Sequence, residues 1–221
     1  MATKPNQVWS WDISYLPAPM RGAYFYLYLV MDVWSRRIVT AEVHERESQE
    51  LAAALIDRAI HRENLPKCGL YLHSDNGGPM TGSTMLAKLQ ELGVIASFSR
   101  PATSDDNPYS EALFRTLKYR PSYPDSRFES LAEAREWVET FVRWYNESHL
   151  HSGITFTSPK ERHEGRDVAT LAKRRQVYEA AKARHPERWG SRDTRAWERV
   201  ERVHLNPSRA TLLEVRGKQA A

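Results

Sequence analysis

Cysteine is almost missing from this chain of 221 residues. The single Cys68 excludes an internal disulfide and suits a reducing compartment. Long apolar runs are missing too. None reaches the roughly 20 residues that span a bilayer, so no membrane partner is expected. The opening MATKPNQVW has no apolar stretch like that of a secretion signal, and a cytoplasmic protein is expected. Repeats and low-complexity tracts are absent.

What is present is a globular composition, 41% apolar and 27% charged. The charge is unevenly spread. Residues 1–159 hold 16 Lys and Arg against 19 Asp and Glu, whereas residues 160–221 hold 16 against 9. An acidic body with a basic tail suits a protein that gathers metal in one place and phosphate in another. A solvated, charged tail explains the same numbers equally well.

Val8 to Leu16 alternates Trp9, Trp11, Ile13 and Tyr15 with Ser10, Asp12 and Ser14, as a strand does. Tyr24 to Val33 and Ile38 to His44 are two more strand-like runs, and short links make the three an antiparallel meander. Helical periodicity follows over residues 47–64. Leu70 to Asp75 reads as a fourth strand, ending in the loop Asn76-Gly77-Gly78-Pro79. A helix over 82–92, a fifth strand over Val94 to Phe98 and the loop 101–108 come next. Helices are then expected from about Tyr109 to Tyr119, from a Ser130/Glu133 capping box to about His149, and over 167–184. The order predicts an α/β fold: a ribonuclease H-like mixed five-stranded sheet with helices on both faces. Residues 1–158 form the expected core, and residues 159–221 a basic, helical and irregular C-terminal extension.

Three carboxylates are better explained by chemistry than by packing. Asp12 sits mid-strand among large apolar residues, where a carboxylate needs a partner or a cation. Asp75 ends a strand, where open sheets bind ligands. Glu111 lies in the first turn of a helix whose polar face also carries Arg115 and Lys118. Three such acids are the minimum for a two-metal phosphodiester site. An acid/base pair for glycosides is the non-metal alternative. The helix by itself reads equally as an amphipathic helix with an i,i+4 pair.

Taken together, VWSWDISYL, YFYLYLVMDVWSRRIV, LHSDNGGPM, SRPATSDDNPYSEALFRTLKYRP and FVRWYNESHLHSGITFTSPKERHEG resemble the DDE transposases of bacterial insertion sequences. These are of the orfB type, with a retroviral-integrase-like core. The 35 residues between Asp75 and Glu111 match the family's D,D(35)E spacing. The resemblance implies Asp12, Asp75 and Glu111 as ligands of two Mg²⁺, with Mn²⁺ able to substitute. It implies DNA strand cleavage and strand transfer at transposon ends and target, by a homo-oligomer on DNA, with a possible partner reading-frame product. Lys118 resembles the family lysine at the transposon end. Arg115, Asn76 and His151 are further DNA-contact candidates, Arg115 from its helix face. Family members carry a helix-turn-helix-like segment ahead of the core, whereas here the core begins within ten residues of Met1. The usual His-Arg-His-Ser-Gly reads His149-Leu150-His151-Ser152-Gly153. A silent DNA-binding remnant and a nuclease without strand transfer are the alternatives.

Other polar residues have plainer explanations. Asp32 is expected to bond the turn at Ser35-Arg36, and Asp105 and Asp106 to make turns or caps. Asn76 fits turn geometry as well as substrate. His149 and His151 stand too close for a helical zinc pair and suit capping. Trp137, Trp144 and Tyr145 have core spacing. Arg174 and Arg175 suit a solvated helix face as well as they suit phosphate.

Overall fold

The computed structural model describes residues 1–100 and 106–205. Five strands form one sheet: β1 (Val8–Pro17), β2 (Tyr24–Asp32), β3 (Ile38–His44), β4 (Tyr71–Ser74) and β5 (Ile95–Phe98). Their order is β3-β2-β1-β4-β5. The first three make the antiparallel meander, and β4 and β5 join parallel. The helices are α1 (Gln49–Arg62), α2 (Gly78–Thr81), α3 (Ser83–Leu92), α4 (Pro108–Lys118), α5 (Leu131–Glu147), α6 (Pro159–His163) and α7 (Asp167–Arg184). The mixed five-stranded sheet expected from the element order is therefore present. Asp105 lies outside the described residues.

Side-chain alternation along β1 sorts the molecule into two layers. Trp9 and Trp11 enter one core with Tyr28, Val30 and the apolar faces of α1 and α3. Leu16 enters the other with Leu27, Leu29, Met31 and the apolar faces of α4 and α5. Ser10, Asp12 and Ser14 share the Leu16 side by parity. The polar face of β1 therefore looks toward α4, not toward open water, and Ser10 and Ser14 are buried.

Three local details differ from expectation. The glycine loop after Asp75 is partly wound into α2, whose first helical residues include Pro79. Ser130 accepts from the Glu133 N–H, but the Glu133 carboxylate takes the Glu129 N–H, so the box is only half made. A complete capping box stands at Ser158 and Glu161, starting α6.

The chain after α6 returns to the body. Ala2 pairs with Val203, and both pack with Val8, Val33 and Trp34. The buried Arg162 stacks 4.0 Å from the Trp34 ring, and its Nε donates to the Trp34 carbonyl at 2.9 Å. Asp167 receives Arg162 at 3.4 Å and Arg199 at 3.0 Å.

Candidate active site

The parallel pairing of β1 with β4 sets Val8 level with Tyr71, Trp9 with Leu72 and Ser10 with His73. Carrying that register two residues further brings Asp12 level with Asp75. Both then share the sheet face of Ser10 and His73, because side chains two apart point the same way. Sheet pairing thus joins two acids far apart in sequence.

The third acid comes with α4, which buried polar bonds hold on the same face. Ser10 Oγ donates to Asn107 Oδ1 at 2.5 Å, and the Ser110 hydroxyl lies 2.7 Å from it. Asn107 Nδ2 donates to the Trp11 carbonyl at 3.2 Å. All three side chains are buried, and Glu111 follows Ser110 directly. His73 Nε2 donates to the Asp106 carbonyl at 2.9 Å, so its Nδ1 accepts from Ser97 Oγ at 3.0 Å. Burial holds the His73 pKa down, which keeps the ring neutral. Arg100 grips the Asp106 carboxylate through its backbone N–H, Nε and Nη2 at 2.7–2.8 Å. Those bonds hold Asp106 down at about 2. Asp106 closes a loop, as expected of it.

Electrostatics tie the acids together. The Asp12 pKa is pushed up to about 7, chiefly by burial. The Ile13 N–H opposes this at 2.8 Å, and the charges of Asp75, Glu111 and Glu47 add to the rise. Glu47 escaped the sequence reading because it sits in the link between β3 and α1, with no motif around it. Its carboxylate accepts from the Tyr15 hydroxyl at 3.0 Å. Asp75 Oδ1 accepts from Ser99 Oγ at 2.6 Å.

Among the described residues, no three His, Cys, Asp or Glu side chains are gathered as a metal ligand set. The donor chemistry nonetheless suits a hard divalent cation. The candidate donors are carboxylate oxygens, and the half-buried Asp12 resists ionising until positive charge arrives.

The remaining candidates separate. Arg115 and Lys118 are exposed on α4, in the same helix as Glu111. Asn76 Nδ2 is engaged by the Ser99 carbonyl at 2.8 Å, so it holds the loop after β4. His151 Nδ1 accepts from the Gly153 N–H at 3.0 Å, capping a short helical turn. Burial, then the charges of Arg36 and His149, push His151 down to about 4, so it is not a cationic contact at neutral pH. Asp32 accepts from the Ser35 N–H and hydroxyl and from the Asn6 N–H, the turn-binding role expected.

Two family models described as Integrase core domain match residues 2–104 and 92–159. The chain belongs to the integrase-core family. Within this family, the transposase for insertion sequence element IS904 of Lactococcus lactis is 34% identical over 161 residues. That alignment covers 72% of this chain and 62% of the relative. Transposase InsF for insertion sequence IS3A of Escherichia coli is 29% identical, covering 76% of this chain and 57% of its own length. The chain thus spans about three fifths of the relatives it matches. Among solved structures, the catalytic core domain of BIV integrase aligns with a TM-score of 0.55 at 19% identity, over 75% of this chain and 98% of that one. The HTLV-2 integrase catalytic core domain in complex with magnesium, in a trimeric form, aligns at 0.52 with 13% identity. It covers 74% of this chain and 99% of its own. These likenesses give the integrase-core fold. No helix among the described residues is long and apolar enough to cross a membrane.

Proposed function

We propose that this chain cuts DNA strands and joins them to new ones, with Asp12, Asp75 and Glu111 as the ligands of two divalent cations. The observation that carries the proposal is the β1–β4 register, which sets the half-buried Asp12 level with Asp75, while buried bonds from Ser10 and the Trp11 carbonyl to Asn107 seat the helix of Glu111 on the same face. Mg²⁺, or Mn²⁺ in its place, would activate the attacking oxygen and stabilise the leaving oxygen of a phosphodiester.

In the first step a water oxygen bonds to phosphorus and the bond to the 3′ oxygen breaks. The strand leaves with a 3′-OH after taking a proton, and a 5′-phosphate remains. In the second step that 3′-OH attacks a phosphorus in another strand and displaces its 3′ oxygen. No covalent link to the protein forms in either step. Asp12 and Asp75 would hold the cations from the sheet side, and Glu111 from the first turn of α4. Lys118 and Arg115, on the same helix, lie where strand phosphates would pass. Family relationship supports a homo-oligomer assembled on the transposon ends, with the basic segment from residue 159 as an extension of the core.

The test is Mg²⁺- or Mn²⁺-dependent nicking and joining of labelled DNA, with Asp75→Asn as comparison. Nicking and joining are expected from the native chain, and a loss of at least about a hundredfold from the variant. Equal cleavage by both would refute the ligand assignment. Nicking without joining would make the chain a nuclease.

A further inference from the structure

Two cavities meet beside α4, outside the acid group. One, of about 320 Å³, is lined by Arg36, Tyr109, Tyr145 and His151 among others. The second, of about 680 Å³, is lined by Arg115, Tyr119, Arg120 and Trp144 among others. Ala112 and Thr116 line both, so the two make one trough along a flank of α4. At about 100° per residue, Ala112 and Thr116 lie roughly a quarter to two fifths of a turn round the helix from Glu111. The trough therefore runs beside the face that carries Glu111 and Arg115.

Arg36 is the unusual member. It is only 9% exposed, and its Nε and Nη1 make no hydrogen bond. Its guanidinium lies 3.9 Å from the centre of the Tyr109 ring, and no carboxylate pairs with it among the described residues. The Asp32 carboxylate is already taken by Ser35 and Asn6. A buried guanidinium cannot shed its proton, so leaving it without an anion is costly. Arg120 repeats the pattern. Its Nη1 is buried without a hydrogen bond, and its guanidinium lies 3.7 Å from the Trp144 ring. Two stacked, under-bonded guanidinium groups thus line one trough. His151 is held neutral by burial and brings no counter-charge. Arginine presents several N–H donors in a plane, which suits phosphate oxygens.

We propose that this trough seats the phosphates of a nucleic-acid strand, with Arg36 at the inner end and Arg120 at the outer. The choice of nucleic acid rests on the DNA reaction proposed above. The experiment uses the whole chain with a fluorescein-labelled DNA duplex, in chelator and without divalent metal, read by anisotropy. Arg36→Met is expected to weaken binding about three- to tenfold and to lower the slope of log K against log salt by about one. Arg120→Gln should act in the same direction. In parallel, sodium phosphate should raise the native melting temperature above that in sodium chloride of equal ionic strength, and should not do so for Arg36→Met. The unliganded Arg36→Met protein should melt no lower than native, because an unpaired buried charge has gone. Unchanged DNA affinity and salt slope in both variants would overturn the proposal. So would a phosphate response with unaltered DNA affinity, which would assign the trough to free anions. So would a lower melting temperature for Arg36→Met, which would make Arg36 a structural pillar on Tyr109. Binding is measured without metal, so failure of the cleavage reaction leaves this result readable on its own.

Discussion

Asp12 shows how one residue is held in tension by its place. A carboxylate raised from 3.8 to about 7 binds its proton more firmly in the folded chain than in the unfolded one. Its contribution to stability is therefore fully present below about pH 4 and is lost as pH rises through 7. Asp12→Asn removes the charge and keeps the shape. The variant is expected to melt higher than native in chelator at pH 8, by on the order of 2–4 kcal/mol in stability, with the gain shrinking to nothing near pH 4. Mg²⁺ should raise the native melting temperature and leave the variant's alone. Thermal melts at the two pH values, with and without Mg²⁺, decide this. An Asp12→Asn protein less stable than native at pH 8 would show the carboxylate to be structural. At this scale much was legible in the sequence. Asp12 stood out as a charge in an apolar strand, and Asp75 as an acid before a glycine turn. Glu47 did not, because a lone Glu in a link has no pattern. The neutrality of His151 did not either, because its burial and the nearby charges of Arg36 and His149 are tertiary facts.

At the scale of elements, α4 brings Glu111 to the sheet, so the bonds that seat α4 should matter to activity. Asn107 is fully buried and bridges Ser10 to the Trp11 carbonyl. Asn107→Ala strips both bonds and is expected to cost about 1–3 kcal/mol in stability. Its effect on nicking should be larger than that loss explains. A displacement of about 1 Å at Glu111 lowers the rate about a hundredfold. Denaturant unfolding and single-turnover nicking on the same preparation separate the two effects. Full nicking by a folded Asn107→Ala protein would show that α4 is seated by its apolar face alone. The apolar stripe of α4 was readable from period, and its pairing with Leu27 and Leu29 follows from the sheet. The Ser10, Asn107 and Ser110 cluster was not readable. Small polar residues signal turns and caps, and only the fold shows three of them meeting across about a hundred residues. For the same reason α2 was missed, since a four-residue turn after two glycines lacks helical period.

At the scale of the whole molecule, charge that the sequence presents as a basic tail is partly spent on packing. Arg162 and Arg199 both stack on Trp34 and meet Asp167. Glu63 works similarly, gripped by Arg37 at 2.9 Å and facing His163 at 3.7 Å. Burial opposes its ionisation, but the hydrogen bonds and charges of His163 and Arg37 win and hold it at about 2. Asp106, with Arg100, is held at about 2 as well. Groups with depressed carboxylate pKa contribute stability that is present above their unfolded values and is lost as pH falls toward 2. His151, lowered to about 4, starts the decline earlier, because the unfolded ring takes a proton near 6.5. Asp12 acts in the opposite direction, weakening the fold as pH rises through 7. Stability without metal should therefore be highest and nearly level between about pH 4.5 and 6.5, where the His151 and Asp12 trends oppose each other, and should fall on both sides. Glu63→Gln should flatten part of the acid limb between about pH 4.5 and 2, by on the order of 2 kcal/mol. Mg²⁺ should lift the alkaline limb and leave the acid one unchanged, because only the acid group near Asp12 gains from a cation. Melting temperatures from pH 3 to 9, with chelator and with Mg²⁺, test the whole pattern. If Mg²⁺ lifted both limbs equally, the ion would be binding somewhere other than the three carboxylates.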